Sequence, residues 1–282
     1  MENIAFVNGE FVDIADAKIS IKDRGLLFAD GIYEVSGIIN GQIIDNESHM
    51  ERWKRSMTSI NLHMPYSVDQ LIDIQYQLIK LNSFDEGTIY MHITRGDVEE
   101  REFEFPSNQK PSIVMFLQRK QLLDLDIDKL KAKVITQPDL RWKRRDIKSI
   151  SLLPQVLAKQ IAFENNAQEV WMYEDELITE GGASNAFIIK DKNIITRKNT
   201  NSILSGTTRK AIIKLTEREG LKFQERAFTI EEAYDATEAF YTSASVFVMP
   251  VVSIDDKIIG NGEPGPLTMK LRKTYIDFAK TF

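Results

Sequence analysis

The stretch RWKRRDIKSISLL, Arg141 to Leu153, packs five cations into eight residues and then turns apolar. Lys148 comes last of the five, between Ile147 and the small polar residues Ser149 and Ser151. A lysine carried into a core is disfavoured as a cation, loses its proton readily and becomes a nucleophilic amine. The plainer reading is the last exposed charge before a helix, and spacing alone leans that way. Glu180, in LITEGGASNAF, ends an apolar strand ahead of two glycines, so the chain turns there and the carboxylate faces either a ligand or solvent. SILSGTTRKAII sets a glycine and hydroxyl residues directly before a helix. Free amide N–H groups, hydroxyls and the positive end of a helix dipole suit a phosphate. Ordinary N-capping by Ser205 or Thr207 would look the same. No Walker-type glycine-lysine loop occurs, so a nucleoside triphosphate is not implied. Arg52 stands on the polar side of an amphipathic pattern and by itself reads as a surface arginine.

Together these residues offer an amine nucleophile, a carboxylate and a phosphate cradle. Pyridoxal 5′-phosphate (PLP) requires all three: a lysine for its aldehyde, a carboxylate to keep its ring nitrogen protonated, and an anchor for its phosphate.

The elements that must carry them can be read from periodicity. FVNGEFV and GIINGQII are Asn-Gly hairpins of type I′. SHMERWKRSMTSI is a helix with Met50, Trp53, Met57 and Ile60 at helical spacing and Ser48 and Glu51 as a capping box. A second helix starts at Ser67, with Gln70 three residues on. TIYMHITRG and PSIVMFLQR are strands, so residues 1–118 form an α+β unit. The polar stretch 119–130 is a domain connection. Beyond it the spacing predicts a helix from Pro154 to Asn165, successive strands with tight turns over 169–197, and a helix over TTRKAIIKLTERE closed by Gly220. TIEEAYDA is a short helix boxed by Thr229 and Glu232, EAFYTSA a strand, and LTMKLRKTYIDFA a last helix.

Composition bounds the function. The chain has 282 residues, 43% hydrophobic and 28% charged, as in a soluble globular protein. A net charge of −6 argues against nucleic acid as a partner. No apolar run reaches the roughly 18–20 residues that span a bilayer. MENIAFVNGEFV lacks the pattern of a secretion signal, so the expected compartment is the cytoplasm. There is no cysteine, and His49, His63 and His92 share no ligand-like spacing, so no metal site is expected.

In order and wording the segments DRGLLFADGIYEV, HMERWKRS, IYMHITRG, DIKSISLLPQVLAKQ, ITEGGASNAF, ILSGTTR and FYTSASVFVMPV resemble the class IV aminotransferases, PLP enzymes of fold type IV. Within that family the bacterial D-amino acid (D-alanine) aminotransferases are most similar, over essentially the whole chain. The resemblance implies a two-domain α+β / α/β fold: an N-terminal α/β sandwich over 1–118, the connection 119–130, and a larger C-terminal pseudo-barrel α/β domain over 131–282 that binds PLP.

It also implies roles. Lys148 falls on the lysine that carries the cofactor covalently, and the cations before it need no catalytic role. Arg52 matches the phosphate-binding arginine, Glu180 the partner of the ring nitrogen, Leu204 the apolar residue behind the ring, and Thr207 and Thr208 the phosphate turn. Ser243 and Ala244 fall where the D-amino acid enzymes often carry a hydroxyl pair, so Ala244 is a departure that removes one contact. Tyr33 matches a tyrosine near the substrate carboxylate. The D-amino acid enzymes hold that carboxylate with an arginine and a histidine on a loop of the neighbouring subunit. Here DVEEREFEFP keeps the arginine as Arg101 and has Phe103 in place of the histidine, among Glu99, Glu100, Glu102 and Glu104. The implied activity moves an amino group from a D-amino acid to a 2-oxo acid such as 2-oxoglutarate or pyruvate, in a homodimer with a shared active site, with possible side activity on (R)-amines. Aminodeoxychorismate lyase and branched-chain aminotransferase share the fold and cofactor and stand as alternatives. A non-enzymatic relic of the fold is opposed by the joint retention of Lys148, Glu180 and Arg52.

Overall fold

The computed structural model describes residues 3–108, 110–123, 125–218 and 220–282. The chain divides into two compact units. The first holds the residues up to Leu122 together with Ile147–Ser151 and Phe282, and the second holds Leu123–Asp146 and Leu152–Thr281. Asp124, within the expected connection, lies outside the described residues.

The first unit is built on a six-stranded antiparallel sheet of β1 (Ile4–Val7), β2 (Glu10–Asp13), β3 (Gly31–Ile39), β4 (Gln42–Ile43), β5 (Gly87–Thr94) and β6 (Ser112–Arg119). The strand order is β2-β1-β6-β5-β3-β4. Both Asn-Gly turns form as expected: Asn8 and Gly9 have φ of 51° and 105°, Asn40 and Gly41 of 52° and 71°. Positive φ at both central residues is what a type I′ turn demands. Besides the short α1 (Arg24–Phe28), two long helices complete the unit, α2 (Asn46–Ser59) and α3 (Val68–Leu81). On β5 the alternate residues Ile89, Met91 and Ile93 enter one core with Trp53 and Met57 of α2 and Leu71 and Leu78 of α3.

The two helix starts differ from one another. Ser67 caps α3 as expected, its Oγ accepting from Gln70 N at 3.1 Å while Gln70 Oε1 accepts from Ser67 N at 2.8 Å. Helix α2 begins two residues before Ser48, after Asp45 in the left-handed conformation at φ 54°, and has no side-chain cap. Ile44 is still bonded to Gly37 O, and His49 N already donates to Asp45 O at 3.1 Å. The chain therefore reverses in one residue, and Ser48 falls inside the first turn.

Strand β4 is only two residues long, which leaves the start of β3 open along that edge. Residues 148–150 fill it. Tyr33 N donates to Lys148 O at 2.9 Å, Ile150 N to Gly31 O at 3.2 Å, and Ile32 and Ser149 form an antiparallel bridge. Ile147 is buried in the core of this unit.

The second unit holds β7 (Ala132–Pro138), α4 (Leu153–Glu164), β8 (Glu169–Glu174), β9 (Leu177–Gly181), β10 (Asn185–Lys190), β11 (Asn193–Thr196), α5 (Thr207–Arg218), β12 (Lys222–Glu225), α6 (Ile230–Tyr234), β13 (Glu238–Ser243), β14 (Phe247–Ile254), β15 (Lys257–Ile258) and α7 (Pro266–Ala279). Its nine strands run β12-β11-β10-β13-β14-β7-β8-β9, with β15 paired to β14. Four strands separate β9 from β10 along that path, yet only residues 182–184 join them in the chain. The sheet must curl to satisfy both, and Gly181 N reaches Ser184 O at 2.7 Å where it does so. Three of its two-residue turns have positive φ without glycine, at Asp175–Glu176, Asp191–Lys192 and Asp255–Asp256. Thr229 caps α6 through Glu232 N, but the Glu232 carboxylate turns to Arg226, so only half of the expected box forms. Among the described residues no helix is long and apolar enough to cross a membrane.

Candidate active site

Side chains alternate along β3, so Tyr33 and Glu34 leave it on opposite faces. On one face Lys148 Nζ lies over the Tyr33 ring, 4.1 Å from its centroid. Such a contact contributes about 0.5–2 kcal/mol and holds a flexible amine in place. Tyr33 is in turn stacked on Tyr90, centroids 5.9 Å apart, and burial pushes the Tyr90 hydroxyl up to about 12. Lys148 is half-buried rather than taken into the core, because the extended segment 148–150 lies at a sheet edge.

On the other face Glu34 meets α2. Arg52 Nε donates to Glu34 Oε1 at 2.8 Å and Nη2 to Oε2 at 2.7 Å, and His49 Nδ1 lies 2.8 Å from Oε2. Arg52 is thus not the surface residue that the helical pattern suggests: it is 5% exposed. Burial opposes the charge on Glu34, but Arg52 and His49 hold its carboxyl far below the usual range. Burial pushes His49 down, so its ring is neutral near pH 7 and Nδ1–H donates to Glu34. One turn beyond Arg52, Ser56 Oγ accepts from Lys148 N at 3.3 Å, which ties the lysine's backbone to the helix that carries the arginine.

In the second unit Glu180 ends β9 and is fully enclosed. Arg141 Nη1 donates to its Oε1 at 2.6 Å, Asn185 Nδ2 to its Oε2 at 2.9 Å, and Leu204 N to both oxygens at 3.0 and 3.1 Å. Burial pushes the Glu180 carboxyl up, and the Arg141 charge and the Leu204 N–H work against that push. Arg141 also forks onto Asp139, with bonds of 2.9 and 2.7 Å, and Thr179 Oγ1 donates to Asp139 at 2.7 Å. Arg145, from the same cationic run, pairs with Glu174. Arg141, one of the cations that precede Lys148, is bonded to the candidate carboxylate itself. Sequence reasoning also passed over Glu34, His49, Asp139 and Asn185. Glu34 and Asn185 are polar residues at buried strand positions, and His49 and Asp139 are polar residues buried on α2 and just after β7, a signal visible only once the partner is known.

Asn185 also bonds Leu204 O at 3.0 Å, fixing the turn that leads to α5. Gly206 lies in that turn, where a Cβ would come within 2.0 Å of Asn185 Oδ1. Thr207 and Thr208 open α5 and are buried, and Thr208 Oγ1 has no partner among the described residues. Leu204 is half-buried. At the end of β13, Ser243 Oγ lies 3.3 Å from Ser245 Oγ.

The substrate-loop candidates stand in the first unit. The Arg101 guanidinium lies 4.6 Å from the centroid of Phe28 and 5.7 Å from that of Phe103, and the four glutamates of the loop are exposed.

The residues of the second unit suit the phosphate and the ring of PLP. Thr208 Oγ1 is an orphaned buried hydroxyl at a helix start, where an anion is favoured. Glu180 is an enclosed carboxylate held by Arg141, Asn185 and Leu204, the kind of group that a protonated ring nitrogen requires. In the first unit, Lys148 carries the amine.

The chain belongs to the class IV aminotransferases: the family's model, amino-transferase class IV, matches residues 31–254. It is therefore a PLP-dependent aminotransferase. Among its relatives is the D-alanine aminotransferase of Staphylococcus haemolyticus, 40% identical over 96% of this chain and 95% of that protein. The branched-chain amino acid aminotransferase of Escherichia coli has the same fold, with a TM-score of 0.90 at 23% identity over 99% of this chain and 95% of that one. So has a putative 4-amino-4-deoxychorismate lyase from Legionella pneumophila, TM-score 0.84 at 20% identity over 94% and 96%. At those identities the two structures speak for the fold, and the sequence relative separates this chain from both.

Proposed function

We propose that the enzyme moves the amino group of a small D-amino acid, of the D-alanine type, to a 2-oxo acid such as pyruvate or 2-oxoglutarate. The observation that carries the reading is the Lys148 amine held over Tyr33 on β3, in a chain 40% identical over nearly its whole length to a D-alanine aminotransferase. When bound, PLP supplies an aldehyde that receives the amino group and a ring that withdraws electrons from the substrate carbon. Lys148 is the residue that carries it and then moves the proton from the substrate's α carbon through Nζ. Glu180 receives the ring N–H, with Arg141 and Asn185 holding the carboxylate in place. Arg52, oriented by Glu34, and Thr207 and Thr208 bind the phosphate, with Ser243 and Ser245 as further hydroxyls. Leu204 provides an apolar wall behind the ring.

Arg101 receives the substrate carboxylate through its planar fork, and Tyr33 presents a hydroxyl to it. Phe103 offers an apolar surface where a histidine would donate a hydrogen bond. Carboxylate binding is weaker for that reason, and an (R)-amine that lacks a carboxylate gains a contact. The enzyme is a homodimer whose loop completes the neighbouring site. Support comes from the stripe of exposed apolar residues Leu153, Val156, Leu157 and Ile161 along one side of α4, a surface that a lone chain leaves in water.

The test is a panel of single half-reactions, following the cofactor's absorbance with D-alanine, L-alanine, L-leucine and (R)-1-phenylethylamine. D-Alanine is expected to react fastest among the amino acids, with a high KM. A preference for L-leucine would make the enzyme a branched-chain aminotransferase instead.

A further inference from the structure

The motif DRGLLFADG has no part in the chemistry described above, yet it contains one of the most fully engaged side chains of the first unit. Arg24 is 3% exposed. Its Nε donates to Asp30 at 2.8 Å, and its remaining donors go to main-chain carbonyls of the substrate loop. Nη1 donates to Glu102 O at 2.6 Å and to Glu104 O at 3.2 Å, and Nη2 to Phe103 O at 3.1 Å. One guanidinium thereby holds three consecutive carbonyls.

At its far end the loop is held by Phe105, whose ring centroid lies 3.6 Å from the Arg95 guanidinium. Arg101 through Phe105 are all exposed, Phe103 at 75%, and Glu99, Glu100, Glu102 and Glu104 repel one another. The residues before Arg24 secure the loop's first half in the same register. Ser20 Oγ donates to Asp97 at 2.8 Å, and Lys22 Nζ to Glu99 O at 3.0 Å. Residues 20, 22 and 24 thus grip positions 97, 99 and 102–104 in turn. Phe28, one helical turn after Arg24, continues the contact. Its ring takes Arg24 at 4.6 Å and Arg101 at 4.6 Å, and lies 5.3 Å from the ring of Phe103. Asp30 anchors the assembly by also receiving Arg95 Nε and Nη2, at 2.8 and 2.9 Å, and Arg95 is fixed to the carbonyls of Ile60 and Asn61.

We propose that Arg24 is the positioning residue of the substrate loop: it fixes the backbone of Glu102, Phe103 and Glu104 and so sets where the Arg101 guanidinium stands to meet a carboxylate. The functional part rests on the reading of Arg101 given above. An arginine is needed because the carbonyls and Asp30 are served by a planar fork of donors; a lysine ammonium has three donors at one point and cannot span them. The clamp acts on the loop and leaves the amine and the phosphate site alone, so its loss must appear in KM rather than in kcat.

The experiment uses PLP-loaded enzyme and the variants Arg24→Met, Arg24→Lys and Arg101→Ala. Two quantities are read: KM and kcat for D-alanine, and the rate at which a glutamate-specific protease cuts the loop at Glu99–Glu104. Arg24→Met should raise KM about tenfold with kcat within about twofold, and speed loop cleavage about tenfold, because loss of the clamp raises the open population. Arg24→Lys should fall between Arg24→Met and the parent on both readouts, and it carries the test if Arg24→Met does not fold. Cleavage at the parent rate in both variants overturns the clamp. Faster cleavage with KM unchanged, while Arg101→Ala raises KM, overturns the positioning role and leaves the carboxylate reading intact. An unchanged KM in Arg101→Ala overturns the carboxylate reading, and the positioning role falls with it.

Discussion

Replacing Arg141 by Met removes the cation from an enclosed pair of carboxylates while keeping most of the side chain's volume. Arg141 donates to Glu180 at 2.6 Å and to Asp139 at 2.9 and 2.7 Å. Asp139 retains Thr179 and Arg145, but Glu180 is left with the neutral donors of Asn185 and Leu204. Breaking a buried pair from one side costs about 3–5 kcal/mol. At roughly 2–4 °C per kcal/mol for a unit of this size, the melting temperature should fall on the order of 10 °C near neutral pH. The pH dependence identifies the cause. Burial already pushes Glu180 up, and without Arg141 it moves further up. Between the unfolded carboxylate value, about 4.3, and the raised folded value, the native state binds more protons than the unfolded one, so stability falls as pH rises through that window. The deficit of Arg141→Met relative to the parent should therefore be larger at about pH 8 than at about pH 5, because it shrinks as pH falls through the raised folded value and Glu180 takes up a proton. The assay is a pair of melting curves for each protein without added cofactor. An equal deficit at both pH values would show that Arg141 acts by packing and not by balancing the Glu180 charge.

Further outcomes follow from other residues of the site. Lys148→Ala should abolish turnover, a loss beyond the ~10²–10⁴-fold of a general acid–base group because covalent attachment goes too; near-normal transamination would end the assignment. Arg52→Ala removes charge-assisted bonds of roughly 1.5–3 kcal/mol each and strands Glu34, so PLP affinity by equilibrium titration should drop about tenfold or more. Gly206→Ala sets a Cβ 2.0 Å from Asn185 Oδ1, and Asn185 cannot move without releasing both Glu180 and Leu204 O. It should cost about 1–3 kcal/mol and weaken PLP binding, whereas a melting curve like the parent's would mean that the turn has slack. Light scattering at assay concentration should give the mass of two chains, and a fully active single chain would contradict the shared loop.

What the sequence determined by itself is local. Asn-Gly between β-branched runs sets the two type I′ turns because Asn and Gly both adopt positive φ readily, and Ser67 with Gln70 caps α3 through bonds three residues apart. The chemistry-bearing residue types, Lys148, Glu180, Arg52 and the hydroxyls before α5, were visible as an order of motifs along the chain. The tertiary structure decided what each of them is paired with. Ser48 and Glu51 have capping-box spacing, yet the buried end of β4 starts α2 earlier at Asn46. Arg52 has a surface pattern, yet Glu34, eighteen residues away, makes its burial tolerable. Arg141 finds Glu180 at a separation of 39 residues, and Arg24 finds the loop carbonyls at 78 to 80. A buried charge is stable only with a partner that is desolvated with it, and that partner is set by strand order and register rather than by the neighbours in sequence.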